Sequence, residues 1–228
     1  MSMHLRFRLA GLSLALGGLT AGFCHLFNFD PPMDLNQLAQ YTRFSEPVHL
    51  LLFAGGILVL LGWFGQYALQ CSASGVLGFG AFLTLFVGIL FGDLLHCILE
   101  FSVFPVLAAV VPYALPGLAE TTYRSTPLAV LLSAGHFLTF IGVPATALSV
   151  YRSHILPAWS AVPFVVTAAI LSLGLVPRLA STLGPAPSMA LYTSMALLGV
   201  AVIWAARKRI QCTDQVAPGL NAAPPVLR

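Results

Sequence analysis

Long apolar stretches separated by short polar segments dominate the pattern along this chain. Six stretches are long enough to cross a bilayer, since a membrane-spanning helix needs about 20 mostly apolar residues. They cover residues 9–27, 48–66, 76–99, 127–150, 158–176 and 188–206. Proline or glycine marks most of the breaks between them. The pattern predicts an all-α, polytopic bundle of six transmembrane helices over residues 1–209, followed by a disordered cytoplasmic tail over residues 210–228.

The composition supports a membrane protein and excludes several other classes. Hydrophobic residues make up 58% of the 228 residues and charged residues only 7%, whereas soluble domains carry about 25% charged residues. So few charges cannot cover a soluble globule, so most of the surface must face lipid. The chain has no glycine-rich phosphate loop and no zinc-finger spacing. We therefore expect the lipid bilayer, and no nucleic acid, as its partner.

The basic residues predict the orientation, because cytoplasmic segments are enriched in Lys and Arg. With the N terminus inside, seven basic residues lie on the cytoplasmic side and three outside: Arg6, Arg8, Arg152, Arg207, Lys208, Arg209 and Arg228 against Arg43, Arg124 and Arg178. Both termini are therefore predicted to be cytoplasmic. The outer segments 28–47 and 100–126 contain apolar residues, and we expect parts of them to form short helices on the membrane surface.

Four histidines fall at one depth near the outer ends of four different spans: His25, His49, His96 and His136. Counted from the cytoplasmic end of each helix, they lie at heights of roughly 24–32 Å. The hydrocarbon core is about 30 Å thick. Because ionisable groups are costly in hydrocarbon, this layer is a hypothesis for a functional site.

Polar residues of the third span share one helical face, because they are spaced i, i+3, i+4 and i+7. They are Asp93, His96, Cys97 and Glu100. The pair Gly88 and Gly92 lies beside them and lets another helix approach closely, as the pair Gly18 and Gly22 does in the first span. An unpaired Asp93 would cost several kcal/mol at this depth. We therefore expect Asp93, His96 and at least one other histidine of the layer to share an interhelical space.

An internal similarity relates the second and fourth spans. Residues 49–55 and 136–142 both read His-x-Leu-x-Phe-x-Gly. This similarity favours a core of two helical hairpins formed by spans one to four, with spans five and six outside it or at an interface. Parallel repeats often place a site where they meet.

The leading functional hypothesis is a redox or metal-binding protein, because neutral imidazole is a good ligand for haem iron, copper and zinc. Haem b would need two facing axial ligands, and the similarity makes His49 and His136 the best pair. Copper or zinc would use His25, Asp93, His96 and Glu100, with Cys97 as a further ligand. Cys24 and Cys97 could instead form a disulfide or be small apolar residues.

Three alternatives stay open. The histidines could be unrelated residues of the membrane interface. The chain could be a non-enzymatic subunit or regulator that packs against a partner protein or a second copy, since no nucleophile–base pair has a recognisable spacing. It could also be a transporter or proton pathway with Asp93 as the deepest acid, although the cytoplasmic halves of the spans read as nearly all apolar.

Some segments are similar to known sequences. Leu156-Pro157-Ala158-Trp159-Ser160-Ala161 opens the fifth span, and Glu100-Phe101 is followed by Pro105-Val106-Leu107-Ala108 after the third. Together with the His49 segment, they resemble a group of uncharacterised bacterial six-helix membrane proteins of the domain-of-unknown-function type. The resemblance implies a bacterial cytoplasmic membrane protein and no particular activity.

Overall fold

The structure, a computed structural model, describes residues 3–27 and 38–220, with most side chains up to Lys208, and its regular elements there are all helical. Helix α1 spans Met3–Cys24 and is extended by a 3-10 turn at His25–Phe27. The run Leu38–Ile89 is broken at Gly75, whose φ of 55° and ψ of −145° are not helical. We call its first part α2 (residues 38–74) and its second part the beginning of α3 (residues 76–110).

Helix α3 changes its winding twice in its C-terminal half. Two π-helical turns, Leu90–Leu94 and Leu99–Val103, enclose the α-helical turn Leu95–Ile98, and Phe104–Val110 completes the helix. A 3-10 turn at Pro112–Ala114 leads into the short helix α4 (Leu115–Ser125). Helix α5 follows at Pro127–Ser153, with Thr126 as its N-cap. The predicted outer segment 100–126 is therefore helical over most of its length.

The last part of the chain contains three helices. A 3-10 turn at Ala158–Ala161 precedes α6 (Val162–Leu173), the short α7 covers Pro177–Leu183, and α8 covers Ala186–Leu220. Helix α8 continues beyond residue 206, where we predicted its end, into the region predicted to be disordered. The rest of the predicted tail, residues 221–228, lies outside the described residues.

The apolar character of these helices agrees with a membrane protein. In the described residues, four helical stretches are long and apolar enough to cross a membrane: Met3–Phe27, Arg43–Val110, Pro127–Ser153 and Ala186–Lys208. The second contains both α2 and α3, and the apolar stretch Ala158–Leu173 is shorter. Exposed leucines follow one face of α1 at helical spacing, at Leu9, Leu12, Leu16 and Leu19. Such a continuous apolar face suits contact with lipid.

Glycines allow the central helices to pack with their backbones almost in contact. A Cβ added to Gly18 of α1 would lie 2.5 Å from the backbone oxygen of Tyr192 in α8. One added to Gly88 of α3 would lie 2.7 Å from the backbone nitrogen of Thr139 in α5. Side chains larger than hydrogen would force these helices apart. The predicted packing role of the Gly18 and Gly88 segments is confirmed, and the contacts lie within this chain.

The expectation that the sixth span lies outside the core is wrong. Helix α8 packs along α1, and its residues Tyr192, Met195, Leu198 and Val202 are fully buried. The reason is a glycine face of α1: Gly11 and Gly18 both face the backbone of α8. Helix α6 packs against α5 and α8 and buries Phe164 and Thr167.

Candidate functional site

The two π-helical turns of α3 divide the predicted polar stripe between two neighbouring centres. Asp93 lies in the first π-turn and Glu100 in the second. Each π-turn adds about one residue to a helical turn and rotates the side chains that follow. Asp93 is consequently hydrogen-bonded to α8, whereas Glu100 is hydrogen-bonded to α2 and α4. Such turns are frequent at functional sites.

The first centre surrounds Glu100, whose side chain is fully buried. Its Oε2 accepts hydrogen bonds from the hydroxyl of Tyr41 at 2.5 Å and from Oγ of Ser45 at 3.3 Å. Its Oε1 accepts one from the hydroxyl of Tyr123 at 2.5 Å. The three donors come from two other helices, so the carboxyl group ties α2, α3 and α4 together. We call this set, with His49 and His96, the Glu100 centre.

A hydrogen-bonded path leads from Glu100 through Tyr123 to His96, and its direction depends on the protonation of Glu100. Tyr123 has one hydroxyl proton and gives it to Glu100, and its oxygen also lies 3.1 Å from Nδ1 of His96. While Glu100 is a carboxylate, Nδ1 of His96 donates to Tyr123 in this arrangement. The resulting order is His96 Nδ1–H to Tyr123 O–H to Glu100, with Tyr41 donating from the other side. If each of these donors became an acceptor, one proton would move from His96 through Tyr123 to Glu100.

His49 belongs to the same centre through Ser45. Its Nδ1 lies 2.8 Å from the backbone oxygen of Ser45, which can only accept, so Nδ1 carries a proton. Nε2 is then the basic nitrogen of the neutral ring. The rings of His49 and His96 meet edge to face, with centroids 5.5 Å apart.

The second centre surrounds Asp93. Its Oδ2 accepts a hydrogen bond of 2.8 Å from the hydroxyl of Tyr192, a fully buried residue of α8. The ring of His25 stacks on that of Tyr192, with centroids 5.3 Å apart. His25 is buried, its Nε2 has no hydrogen-bond partner, and it lies within electrostatic range of Asp93. We call these three residues the Asp93 centre.

The four histidines lie in one part of the bundle. His96 lies within electrostatic range of His25, His49 and His136. However, Asp93 and His96 make their hydrogen bonds in the two different centres. His136 is exposed, and its ring packs beside Gly92. The proposed haem ligands His49 and His136 thus have different surroundings, one fully buried and one exposed, and haem binding stays a prediction.

The predicted metal ligands are not arranged around a common point. Among the described residues, no group of three or more His, Cys, Asp and Glu side chains could hold a metal ion. His25 and Asp93 belong to one centre, and His96 and Glu100 to the other. Cys24 and Cys97 are buried free thiols that pack with Leu52. A copper or zinc site at His25, Asp93, His96 and Glu100 stays a prediction that requires side chains to move.

Sequence reasoning missed the hydroxyl donors of both centres. Tyr41, Ser45 and His49 are spaced i, i+4 and i+8, so they share one face of α2. This signal was hidden because we placed the start of the helix after Pro47, whereas the helix begins at Leu38 and includes that proline. Tyr123 and Tyr192 carry no signal of this kind in the sequence, since their partners on α3 are distant along the chain.

The environment of Tyr41 keeps its phenol neutral. Burial, and then the charge of the Glu100 carboxylate beside it, raise the pKa of Tyr41 well above its ordinary value. Tyr41 is therefore a permanent hydrogen-bond donor to Glu100 over the physiological pH range.

Comparison with known proteins adds no identification. No protein family, curated protein or solved structure was found to match the chain. The resemblance to uncharacterised bacterial six-helix proteins stays a prediction, and the function has to be argued from the two centres themselves.

Proposed function

We propose that the chain crosses the bacterial cytoplasmic membrane six times with both termini inside, through α1, α2, α3, α5, α6 and α8. The excess of basic residues at one end of the bundle supports this orientation. A reporter fused after Lys208 tests it and should give the signal of a cytoplasmic C terminus. A periplasmic signal there would reverse the topology and place both centres on the cytoplasmic side.

Within that topology, the protein binds and releases protons at the Glu100 centre, and its activity depends on this protonation. The observation that carries the proposal is the fully buried Glu100, held by Tyr41 and Tyr123, with Tyr123 linked onward to His96. A buried carboxylate is strongly disfavoured unless its charge is balanced. A proton on Glu100 or on a neighbouring imidazole would balance that charge.

An open groove adjoins this centre on one side. Tyr123 and Arg124 line an open groove of about 1130 Å³ between α4 and α5. Tyr123 is half-buried, so its ring reaches from this groove to Glu100 and His96. Between this centre and the buried polar side chains Gln66 and Thr146, α3 and α5 carry buried apolar side chains such as Leu85, Ile89 and Val143. This arrangement favours proton binding from the outside over conduction across the membrane.

Proton uptake at the Glu100 centre could act on a partner protein. A centre that takes up a proton without passing it across the membrane has to transmit the event by a conformational change or to another protein. A membrane subunit or regulator, acting with a partner protein or a second copy of the chain, would serve this role.

Proton counting tests the proposed function. Acid–base titration of the protein in nanodiscs is compared with the same titration of Glu100→Gln and, as a matched control, of Glu120→Gln, whose carboxylate is exposed and paired with Arg124. We expect Glu100→Gln to lose a proton-binding step that differs from the step lost by Glu120→Gln. Identical difference curves for the two variants would contradict the proposal.

A transition-metal site is the second candidate, favoured by one observation. Nε2 of His25 is buried without a hydrogen-bond partner near Asp93, and neutral imidazole is a common metal ligand. Metal analysis of protein purified without chelators decides this question. A stoichiometric metal that is lost in His25→Ala would favour a metal-binding function over proton binding.

A further inference from the structure

A third buried polar region lies far from the Glu100 centre. Along α2, Gln66 follows His49 by 17 residues, which corresponds to roughly 25 Å of helix rise. There, side chains of α2, α3 and α5 surround a small cavity. Its polar lining consists of Gln66, Gln70, Thr146 and Ser149, all buried. We call it the Gln66 cavity. The prediction that this half of the bundle is nearly all apolar is wrong.

The hydrogen bonds of this cavity are incomplete. Gln70 donates to Ser149 at 3.5 Å and accepts from Ser153 at 3.4 Å, and both distances are at the long end of the range for a hydrogen bond. Nε2 of Gln66 and Oγ1 of Thr146 have no partner, although each side chain is only 1% exposed. Buried polar atoms are nearly always hydrogen-bonded. Two such atoms in the lining of one cavity therefore point to a hydrogen-bond partner other than the protein.

The chemistry of the lining restricts what that ligand can be. It must accept a hydrogen bond from the amide of Gln66, which a metal cation cannot do. It must also be neutral, because the lining contains no charged side chain and an unbalanced charge would be costly here. Trp63 closes one wall and uses its own N–H on the backbone oxygen of Phe82. Water satisfies both requirements, since it donates and accepts.

We propose that the Gln66 cavity is a water-binding site. The free space consists of gaps narrower than a water-sized sphere, so entry of water requires rotation of the flexible Gln66 or Gln70 side chain. Bound water then connects Gln66 with Thr146 and hydrates the bundle as far as Trp63. The proposal does not depend on proton binding at Glu100.

The sign of a stability change tests the proposal. If the Thr146 hydroxyl truly has no partner, the isosteric Thr146→Val removes a buried unsatisfied group and should raise the melting temperature. If water bonds to it, the substitution should lower the melting temperature, by about 2–4 °C for a loss of about 1 kcal/mol in a protein of this size. We expect Thr146→Val to lower the melting temperature. An unchanged or higher melting temperature overturns the proposal.

Two controls calibrate this measurement. Thr167→Val removes a hydroxyl that bonds to Oγ of Ser194 at 2.9 Å, so it shows the effect of losing a satisfied group. Thr146→Ser keeps the hydroxyl and should retain more of the wild-type melting temperature than Thr146→Val. The wild type is also melted in sodium chloride and in choline chloride. A melting temperature raised specifically by sodium would indicate a cation site and overturn the assignment to water.

A direct measurement does not depend on the folding of any variant. X-ray pulses generate hydroxyl radicals from bound water, and isotope-labelled water marks the side chains that they oxidise. Phe82 lines the Gln66 cavity, whereas the buried Phe164 and Phe104 do not. We expect label on Phe82 well above that on both controls. Equal labelling of the three phenylalanines would contradict a hydrated cavity.

Discussion

The Glu100 centre and the Gln66 cavity are both buried and polar, but their hydrogen bonding differs. At the Glu100 centre, an ionisable group of α3 receives donors from two other helices, and imidazoles of α2 and α3 lie beside it. At the Gln66 cavity, the groups are neutral and some have no protein partner. Leaving a neutral amide or hydroxyl unpaired costs about 1–3 kcal/mol, whereas an unpaired buried charge costs far more. The fold thus supplies donors to the Glu100 carboxyl group and leaves some neutral groups of the Gln66 cavity without a protein partner.

The largest expected effect concerns Glu100 itself. Glu100→Leu removes the acceptor of Tyr41, Ser45 and Tyr123 and leaves three buried or half-buried donors without it. We expect the free energy of unfolding to fall by on the order of 3 kcal/mol or more, measured by denaturation in detergent micelles. The exposed Glu120→Leu is the control. If Glu100→Leu and Glu120→Leu were equally stable, the hydrogen bonds of Glu100 would not stabilise the fold more than an exposed carboxylate does.

The next effect separates the two centres from each other. Tyr192→Phe removes the hydroxyl that Asp93 accepts from, and Tyr123→Phe removes the link between Glu100 and His96. Hydrogen bonds to charged groups contribute about 1.5–3 kcal/mol, so each variant should be destabilised by that order. Tyr151→Phe, at an exposed position, serves as the control. If Tyr192→Phe behaves like Tyr151→Phe, then Asp93 does not depend on α8.

Features of the fold that depend on a local stretch of sequence could be predicted, whereas features that depend on contacts between distant residues could not. Apolar length located the helices, and the break at Gly75 falls where the pattern placed it, because both are local properties. The start of α2 was wrong because Pro47 is tolerated inside a helix of a membrane bundle. The burial of α8 depends on glycines of α1 that are more than 170 residues away. The sequence predicted the histidines, Asp93 and Glu100 as candidate site residues, but it did not predict the hydroxyl groups that bond to them.

The pH dependence of the stability tests whether Tyr41 belongs to the Glu100 centre. Its pKa is raised by burial and by Glu100, so the neutral phenol stabilises the fold. This stability is fully present below the pKa of the unfolded state, about 10, and is lost as the pH rises above that value. Wild-type stability should therefore fall more steeply above pH 10 than that of Tyr41→Phe, measured by denaturation over this pH range. Parallel curves would contradict the assigned environment.

The smallest effect is expected at His136. This residue is exposed and lies outside the hydrogen-bonded chain, so His136→Ala should change the stability by no more than about 0.5 kcal/mol. His49→Ala, at a fully buried position, should be clearly more destabilising. The absorption spectra of both variants and the wild type are recorded in the same preparations. A Soret band that disappears in both variants would restore the haem hypothesis and contradict the comparison.

Infrared spectroscopy of the carboxyl groups tests the central claim most directly. Difference spectra of the protein in nanodiscs are recorded while the pH is changed over the range in which the protein stays folded. The account predicts a pH-dependent band of a protonated carboxylic acid or an accompanying imidazole band, absent in Glu100→Gln and retained in Glu120→Gln. If every pH-dependent band of the wild type is unchanged in Glu100→Gln, then the Glu100 centre does not take up a proton.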